Sequence, residues 1–366
     1  MKGAFAGRAC PHGLLVLLLV LVGATWLPLA GCAGRSREEE PPRATREVVS
    51  DGWLAMGTFF EIDLRLARRD LEAGRRYVAW VREEIDRLER IYSRHDPGSA
   101  ISELNRAFAA SDGSGSGVRV VPELEALLAL SLGVGEESGG AFDVTVGPLV
   151  DVWNRAVEAG RWPSVEVLRA AKRRVGGEHV ELAGDGRVAA TVRDVRIDLD
   201  ALSKGAVLDR LRTELEARLP DTPALLAFGQ SSLVAIGAPE GDAGWRLDVR
   251  SREDALGGLG TLVVRDRAVS VSSSVGQRRD IAGTPVSHVI DPRTGSAVEG
   301  SVEAIVISDR GAAVADAWST ALLVLGAQPS AIGRLERAGL DGLVIELGGR
   351  SAATGGWERA TRAQTP

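Results

Sequence analysis

Two short runs constrain this chain more than any other part of it. The first is Ser287-His288-Val289-Ile290-Asp291-Pro292-Arg293-Thr294-Gly295. The second is Ala315-Asp316-Ala317-Trp318-Ser319-Thr320-Ala321-Leu322-Leu323-Val324-Leu325-Gly326. The first sets a histidine beside an Asp-Pro turn. In the second a carboxylate and a hydroxyl lie four residues apart, so in a helix Asp316 and Thr320 share one face. A hard cation such as Mg2+ takes oxygen ligands of this kind, usually with substrate phosphates completing its shell. Together the runs point to phosphate chemistry with a metal and a nearby base. Each also has a plainer reading. A mid-helix threonine can bond back to a carbonyl, Asp316 can serve as a local helix partner, and His288 can be a satisfied buried histidine.

The rest of the chain sets the fold class. Its 366 residues are 45% hydrophobic and 26% charged, enough for a large core. A strand is predicted within Trp53–Leu66, with Met56-Gly57-Thr58 at its start. Apolar residues at Val78, Val81, Ile85, Leu88 and Ile91 predict a helix over Leu71–Tyr92. Further helices are predicted at Pro122–Gly135, Ser164–Val175 (capped by Ser164), Lys204–Leu219, Ala312–Leu325 and Ser330–Ala338, and a loop at Ser111–Gly117. Val180–Leu199 reads as short strands around a Gly184-Asp185-Gly186 turn. Strands are expected at Ala224–Phe228, Leu233–Ile236, Trp245–Val249, Thr261–Val264, Ala268–Val271, Val286–Ile290, Glu303–Ile307 and Gly342–Leu347, followed by a fraying end. Helices mixed with runs of adjacent strands indicate an α+β protein rather than a regular βαβ alternation.

The N-terminus carries a separate signal. Lys2 and Arg8 precede the apolar run Leu14–Val22, and Leu29-Ala30-Gly31-Cys32 follows. This is the pattern of a secretory leader, with a lipobox-like ending that would make Cys32 the lipidated first residue. The run is short for a membrane span. The formal charge of -6 becomes two units more negative once Lys2 and Arg8 leave, so a nucleic-acid partner is not expected. Cys10 would go with the leader. The mature domain then has no thiol for disulfides, thiol catalysis or a zinc cluster. The expected organisation is a leader over 1–31, a lipidated cysteine and polar tether over 32–50, a domain over 51–350 and a tail over 351–366.

Both opening runs resemble the ApbE family, the FAD:protein FMN transferases, which carry S-H-x-I-D-P-x-T-G and A-D-A-x-x-T-x-L-x-V-L-G. Three more segments resemble it: Gly140-Ala141-Phe142-Asp143-Val144-Thr145-Val146-Gly147-Pro148-Leu149 with Trp153; Ile197-Asp198-Leu199-Asp200-Ala201-Leu202-Ser203-Lys204-Gly205; and Ser93-Arg94-His95 through Asn105. The likeness runs from about Trp53 to about Leu347. It implies an ApbE-like two-lobed fold related to the T-fold, with mixed sheets flanked by helices. FAD would be the substrate, and Mg2+ would be held by Asp316, Thr320 and the Ala201 carbonyl, with Ser319 a further contact. Met56, His95, Ala141, Phe142, Asp143, Asp198, Lys204 and Ile290 would contact FAD, and His288 and Asp291 would be catalytic. Independently, Ile197–Gly205 reads as a strand-to-helix junction, whose free N–H groups favour phosphate.

The implied reaction moves FMN from FAD to a Thr or Ser hydroxyl of a partner, with release of AMP. The partner would be an exposed subunit of a membrane ion-pumping or electron-transfer complex. The chain would sit lipid-anchored at a bacterial membrane, facing the periplasm or exterior. Two segments depart from the family pattern. Phe228-Gly229-Gln230-Ser231-Ser232 stands for its L-G-G-N or L-G-G-D, and Ser272-Ser273-Ser274-Val275-Gly276 for its T-S-G-x-Y. These departures keep two alternatives open: an FAD pyrophosphatase, and a non-catalytic FAD-binding lipoprotein.

Overall fold

The computed structural model describes residues 46–111, 117–250, 258–275 and 279–362. Its centre is an eight-stranded sheet: β1 (Glu47–Ala55), β2 (Thr58–Leu66), β3 (Ala224–Phe228), β4 (Ser232–Ile236), β5 (Arg267–Ser273), β6 (Ser301–Ser308), β7 (Asp341–Glu346) and β8 (Ser351–Ala353). Strands neighbour one another in chain order, and every pairing is antiparallel. Between β2 and β3 the described residues form six α-helices: α1 (Leu71–Tyr92), α2 (Ala100–Ala110), α3 (Pro122–Ser138), α4 (Gly147–Glu158), α5 (Val165–Lys172) and α6 (Ser203–Arg218). α7 (Ala312–Leu325) and α8 (Pro329–Arg337) connect β6 to β7, and α9 (Gly355–Arg362) follows β8.

Alternation along the strands sends side chains to two different cores. Phe60, Ile62, Leu64, Phe228, Val234, Ala304 and Val306 join the large core under the helices. Ala235, Val269, Ile305, Ile307 and Leu343 meet Trp245 of the hairpin Trp245–Arg250/Gly258–Val264, and Trp357 of α9, on the other face. β6 is buried along its whole length, as a central strand covered on both faces must be. α7 is buried nearly all round and packs against α6, β5 and β6. A third, smaller apolar cluster joins α4 and α5 to the short hairpin Arg279–Ile281/Thr284–Val286.

Several expectations need correction. The segment Trp53–Leu66 is the end of one strand plus a second, joined at Met56-Gly57. The tether does not extend to Ser50, because β1 begins at Glu47 and Arg46 donates to the carbonyls of Arg65 and Asp221. The tail does not fray at 351: β8 pairs with β7, and Trp357 is buried in the second core. Val286–Ile290 is not one strand. It ends at Val286, and Ile290 makes only an isolated bridge to Ala297. The leader, Cys32, most of the tether and most of the Ser111–Gly117 loop lie outside the described residues. Among the described residues, no helix is long and apolar enough to cross a membrane.

Candidate active site

Asp316 sits on the second turn of α7, 4% exposed. Both of its oxygens are occupied: the Gly205 N–H donates to Oδ2 at 2.7 Å and the Ser232 hydroxyl to Oδ1 at 2.7 Å. Gly205 lies in the first turn of α6, where backbone N–H groups have no intrahelical partner. Asp316 satisfies one of them from another helix. Only glycine permits this approach, since a Cβ at 205 would collide with the backbone of Ala312 and Ala313. Burial pushes the Asp316 carboxyl up; the Lys204 ammonium, Ser270, Ser232 and the Gly205 N–H pull it back. Asp209, further along α6, accepts from the N–H groups of Ala312 and Ala313 and so caps α7. Burial raises its carboxyl to about 6.

A cluster of hydroxyls extends from this clamp. Ser270 and Ser272 are two apart on β5 and face α7. Ser319 Oγ lies 3.1 Å from Ser270 Oγ and 2.7 Å from Ser272 Oγ, and Ser272 Oγ lies 3.1 Å from Thr320 Oγ1. Lys204 and Ala201 stand at the start of α6 and in the turn before it. The expected metal set therefore has three members on one helix, with Ala201 beside the helix whose first turn holds Asp316.

A second group lies upstream of α6. Asp143 Oδ1 accepts from the Thr145 N–H and hydroxyl, and burial raises its carboxyl. The Asp198 N–H donates to the Val144 carbonyl at 2.7 Å, and Asn105 brackets Ile197 through its side-chain amide. Arg94 Nε lies 3.1 Å from Asp198 and 2.7 Å from Asp200, and His95 Nε2 lies 3.4 Å from Asp200. Burial raises the Asp198 carboxyl, reinforced by Asp200 and opposed by Arg94. Ala141 and Phe142 are buried. The turn at 199–202 joins this group to the Asp316 clamp through continuous chain.

His288 lies in the loop after Val286. It is half-buried, its Nδ1 is buried without a partner, and burial followed by the Arg279 charge lowers its pKa. Asp291 does not orient it. Both Asp291 oxygens are taken by Arg293, at 2.9 Å each. No side-chain hydrogen bond among the described residues joins His288 to Asp291 or to Asp316. Ile290 is buried in the third cluster, beside Leu149 and Trp153. Trp153 donates from Nε1 to the Gly295 carbonyl at 2.9 Å, and Arg279 donates to Asn154, so α4 holds this loop and the hairpin before it. Arg293 also passes over Gly140, next to the Ala141–Asp143 segment that leads into α4.

Met56 marks the same end of the sheet as Ser232. It occupies the β1–β2 turn at φ 48°, a left-handed conformation uncommon for a residue with a side chain. The adjacent β3–β4 turn is tied to it by the Gly229 N–H, which donates to the Phe59 carbonyl. The two departures from the family pattern are accommodated here. Neither Gln230 nor Ser274 has positive φ, and the Ser274 hydroxyl donates to the Ser301 carbonyl. Residues that the motifs did not single out act on those that they did: Ser270 on Asp316, and Arg279, held by Asn154, on His288. Ser270 falls on the strand predicted over Ala268–Val271 and Ser272 just past it, and neither position signalled its partner.

These features define an α+β protein with an antiparallel sheet in chain order and a buried, hydroxyl-clamped carboxylate at one end. The crystal structure of the ApbE protein from Thermotoga maritima has this fold, with a TM-score of 0.75 over 86% of this chain and 100% of that one, at 23% identity. The ApbE family model matches residues 56–334, and the chain belongs to that family. Among its relatives are two named FAD:protein FMN transferase. The Klebsiella pneumoniae (strain 342) protein is 29% identical over 84% of this chain and 85% of its own. The Treponema pallidum (strain Nichols) protein is 30% identical over 94% and 93%.

Proposed function

We propose that this chain is an FAD:protein FMN transferase that works with Mg2+ and delivers FMN to a Ser or Thr hydroxyl. Family membership and the activity named for its relatives support the transfer. The observation that carries the site assignment is the buried Asp316, held at both oxygens beside Thr320 and within reach of the Lys204 charge.

The residues present fit Mg2+. Asp316, Thr320 and the Ala201 carbonyl are all hard oxygen donors, with the Ser319 hydroxyl beside them. No cluster of three His, Cys, Asp or Glu occurs among the described residues, so phosphates and water would fill the rest of the shell. When bound, the ion would neutralise charge on the pyrophosphate oxygens. Lys204 would add a second positive charge at the N-terminus of α6. Phosphoryl transfer needs mainly positioning and charge neutralisation, and a preformed clamp supplies both. His288, kept neutral by burial and Arg279, takes the acceptor hydroxyl proton. The hydroxyl oxygen bonds to the FMN phosphorus, the bond from that phosphorus to the bridging oxygen breaks, and AMP leaves with that oxygen. Asp143, Asp198, His95 and Met56 would line the FAD site. Asp291, committed to Arg293, shapes the loop rather than the imidazole.

The acceptor would be an exposed subunit of a membrane ion-pumping or electron-transfer complex. The Cys32 lipid would anchor the enzyme at the envelope beside it. The test is to incubate the full-length protein with FAD, Mg2+ and a Ser/Thr acceptor peptide, and to follow peptide mass and AMP. A mass gain equal to FMN that disappears in Asp316→Ala supports the proposal. Free FMN and AMP without peptide modification would mean hydrolysis, and intact bound FAD would mean a carrier.

A further inference from the structure

The hydroxyls beside Asp316 form a chain whose proton direction can be counted. Ser319 Oγ lies 2.9 Å from the Asp316 carbonyl, and Ser270 Oγ lies 3.2 Å from the Ser231 carbonyl. Carbonyls only accept, so the first contact consumes the Ser319 proton. Ser319 then has none left for Ser272, and the 2.7 Å contact between them must be donated by Ser272. With the Ser272 proton spent, its 3.1 Å contact with Thr320 must be donated by Thr320. Ser270 can give its single proton to the Ser231 carbonyl or to the Asp316 carboxylate, and neither choice changes the direction at Ser272. With one proton serving one contact, no other assignment donates to the Asp316 carbonyl and also supplies a proton to both contacts of Ser272.

We propose that Ser272 is a positioning residue: it draws the Thr320 proton inward and leaves the Thr320 oxygen as an electron-pair donor toward whatever occupies the site. Ser232 does the matching task for Asp316, donating to Oδ1 while Gly205 donates to Oδ2. Both candidate ligands therefore meet the site with lone pairs and without protons. This chemistry suits a divalent cation and disfavours direct contact of Thr320 with a phosphate oxygen, which would need a donor. The inference rests on the Mg2+ reading above and extends it to β4 and β5. The departures from the family pattern at Gln230 and Ser274 lie just outside these two strands, and Ser272 keeps a hydroxyl where that pattern has threonine. Partners that orient metal ligands typically alter affinity by 10–100-fold when removed.

The test compares Ser272→Thr with Ser272→Val in the full-length protein. The two side chains share a shape and differ in the hydroxyl. Mg2+ affinity is measured by calorimetry on FAD-loaded protein, and metal-free thermal unfolding is followed in parallel. Ser272→Val should bind Mg2+ about tenfold or more weakly, with Ser272→Thr staying near the parent and the metal-free unfolding midpoints matching. Equal affinity for the two variants overturns the role of Ser272 while leaving the metal site standing. No saturable Mg2+ uptake by the parent overturns the metal reading itself. If Ser272→Val fails to fold, Ser232→Ala provides the same comparison at Asp316, and unchanged Mg2+ affinity there overturns the orientation argument.

Discussion

Around Asp316 the polar groups are paired with one another and with the carboxylate itself, whereas the pairs around His288 leave its Nδ1 without a partner. Asp316 takes one hydrogen bond from a helix start and one from a strand, and the neighbouring hydroxyls are linked in a chain. His288 stands in a loop held from α4, with its Nδ1 buried and unpartnered and the adjacent Asp291 engaged elsewhere. The contrast follows from the chemistry each region would perform. A site that stabilises phosphate charge gains from dipoles and ligands fixed beforehand, because no reorganisation is then needed during reaction. A base must exchange its proton with an incoming acceptor, so its partner arrives with the substrate.

The largest test of this contrast is Asp316→Ala against His288→Ala. Asp316→Ala should lower FMN transfer on the order of a thousandfold and abolish Mg2+ uptake. His288→Ala should lower transfer about a hundredfold and leave Mg2+ uptake intact. Loss of Mg2+ uptake in both variants would show that the two regions are not separately built. Next is Gly205→Ala, which drives a methyl into the Ala312 backbone. It should cost ~1–3 kcal/mol and lower the unfolding midpoint by several degrees in calorimetry. An unchanged midpoint would mean that α6 and α7 are not locked together.

Smaller effects probe the His288 side. Its lowered pKa keeps the imidazole neutral to lower pH, so the acid limb of kcat/KM should lie below the ordinary histidine value. Removing the Arg279 charge in Arg279→Ala should move that limb upward, by less than about one unit. A limb that does not move would separate Arg279 from the base. Last, Asp291→Asn breaks a pair whose arginine is 39% exposed. The loss in unfolding free energy should stay under about 1 kcal/mol, and the acid limb should keep its position. A shifted limb would restore Asp291 as a partner of the imidazole.

Much of this arrangement is legible residue by residue. The apolar spacing over Leu71–Tyr92 predicts α1, and the Ala312–Leu325 span predicts α7 to the residue. α2 and α4 escaped because their residues read first as motifs: Ser99 caps α2, and Pro148 sits in the first turn of α4. Val286–Ile290 looked like a strand because three of its five residues are aliphatic. Ile290 instead serves the small cluster on α4, more than 130 positions back in the chain from the loop.

Periodicity and motif spacing act over a few residues. They were therefore enough for the α+β class, the bounds of α1, α7 and β3, and the identity of Asp316, Thr320 and His288 as candidates. They carry no record of which surfaces meet. That Gly205 donates to a carboxylate 111 residues away, that Ser232 completes the clamp, and that Asp291 turns to Arg293 instead of His288 were decided only by packing. The physical reason is that buried polar groups must find partners wherever the packed elements place them. Serine, common in every kind of segment, gives no sign in sequence of the partner it will find.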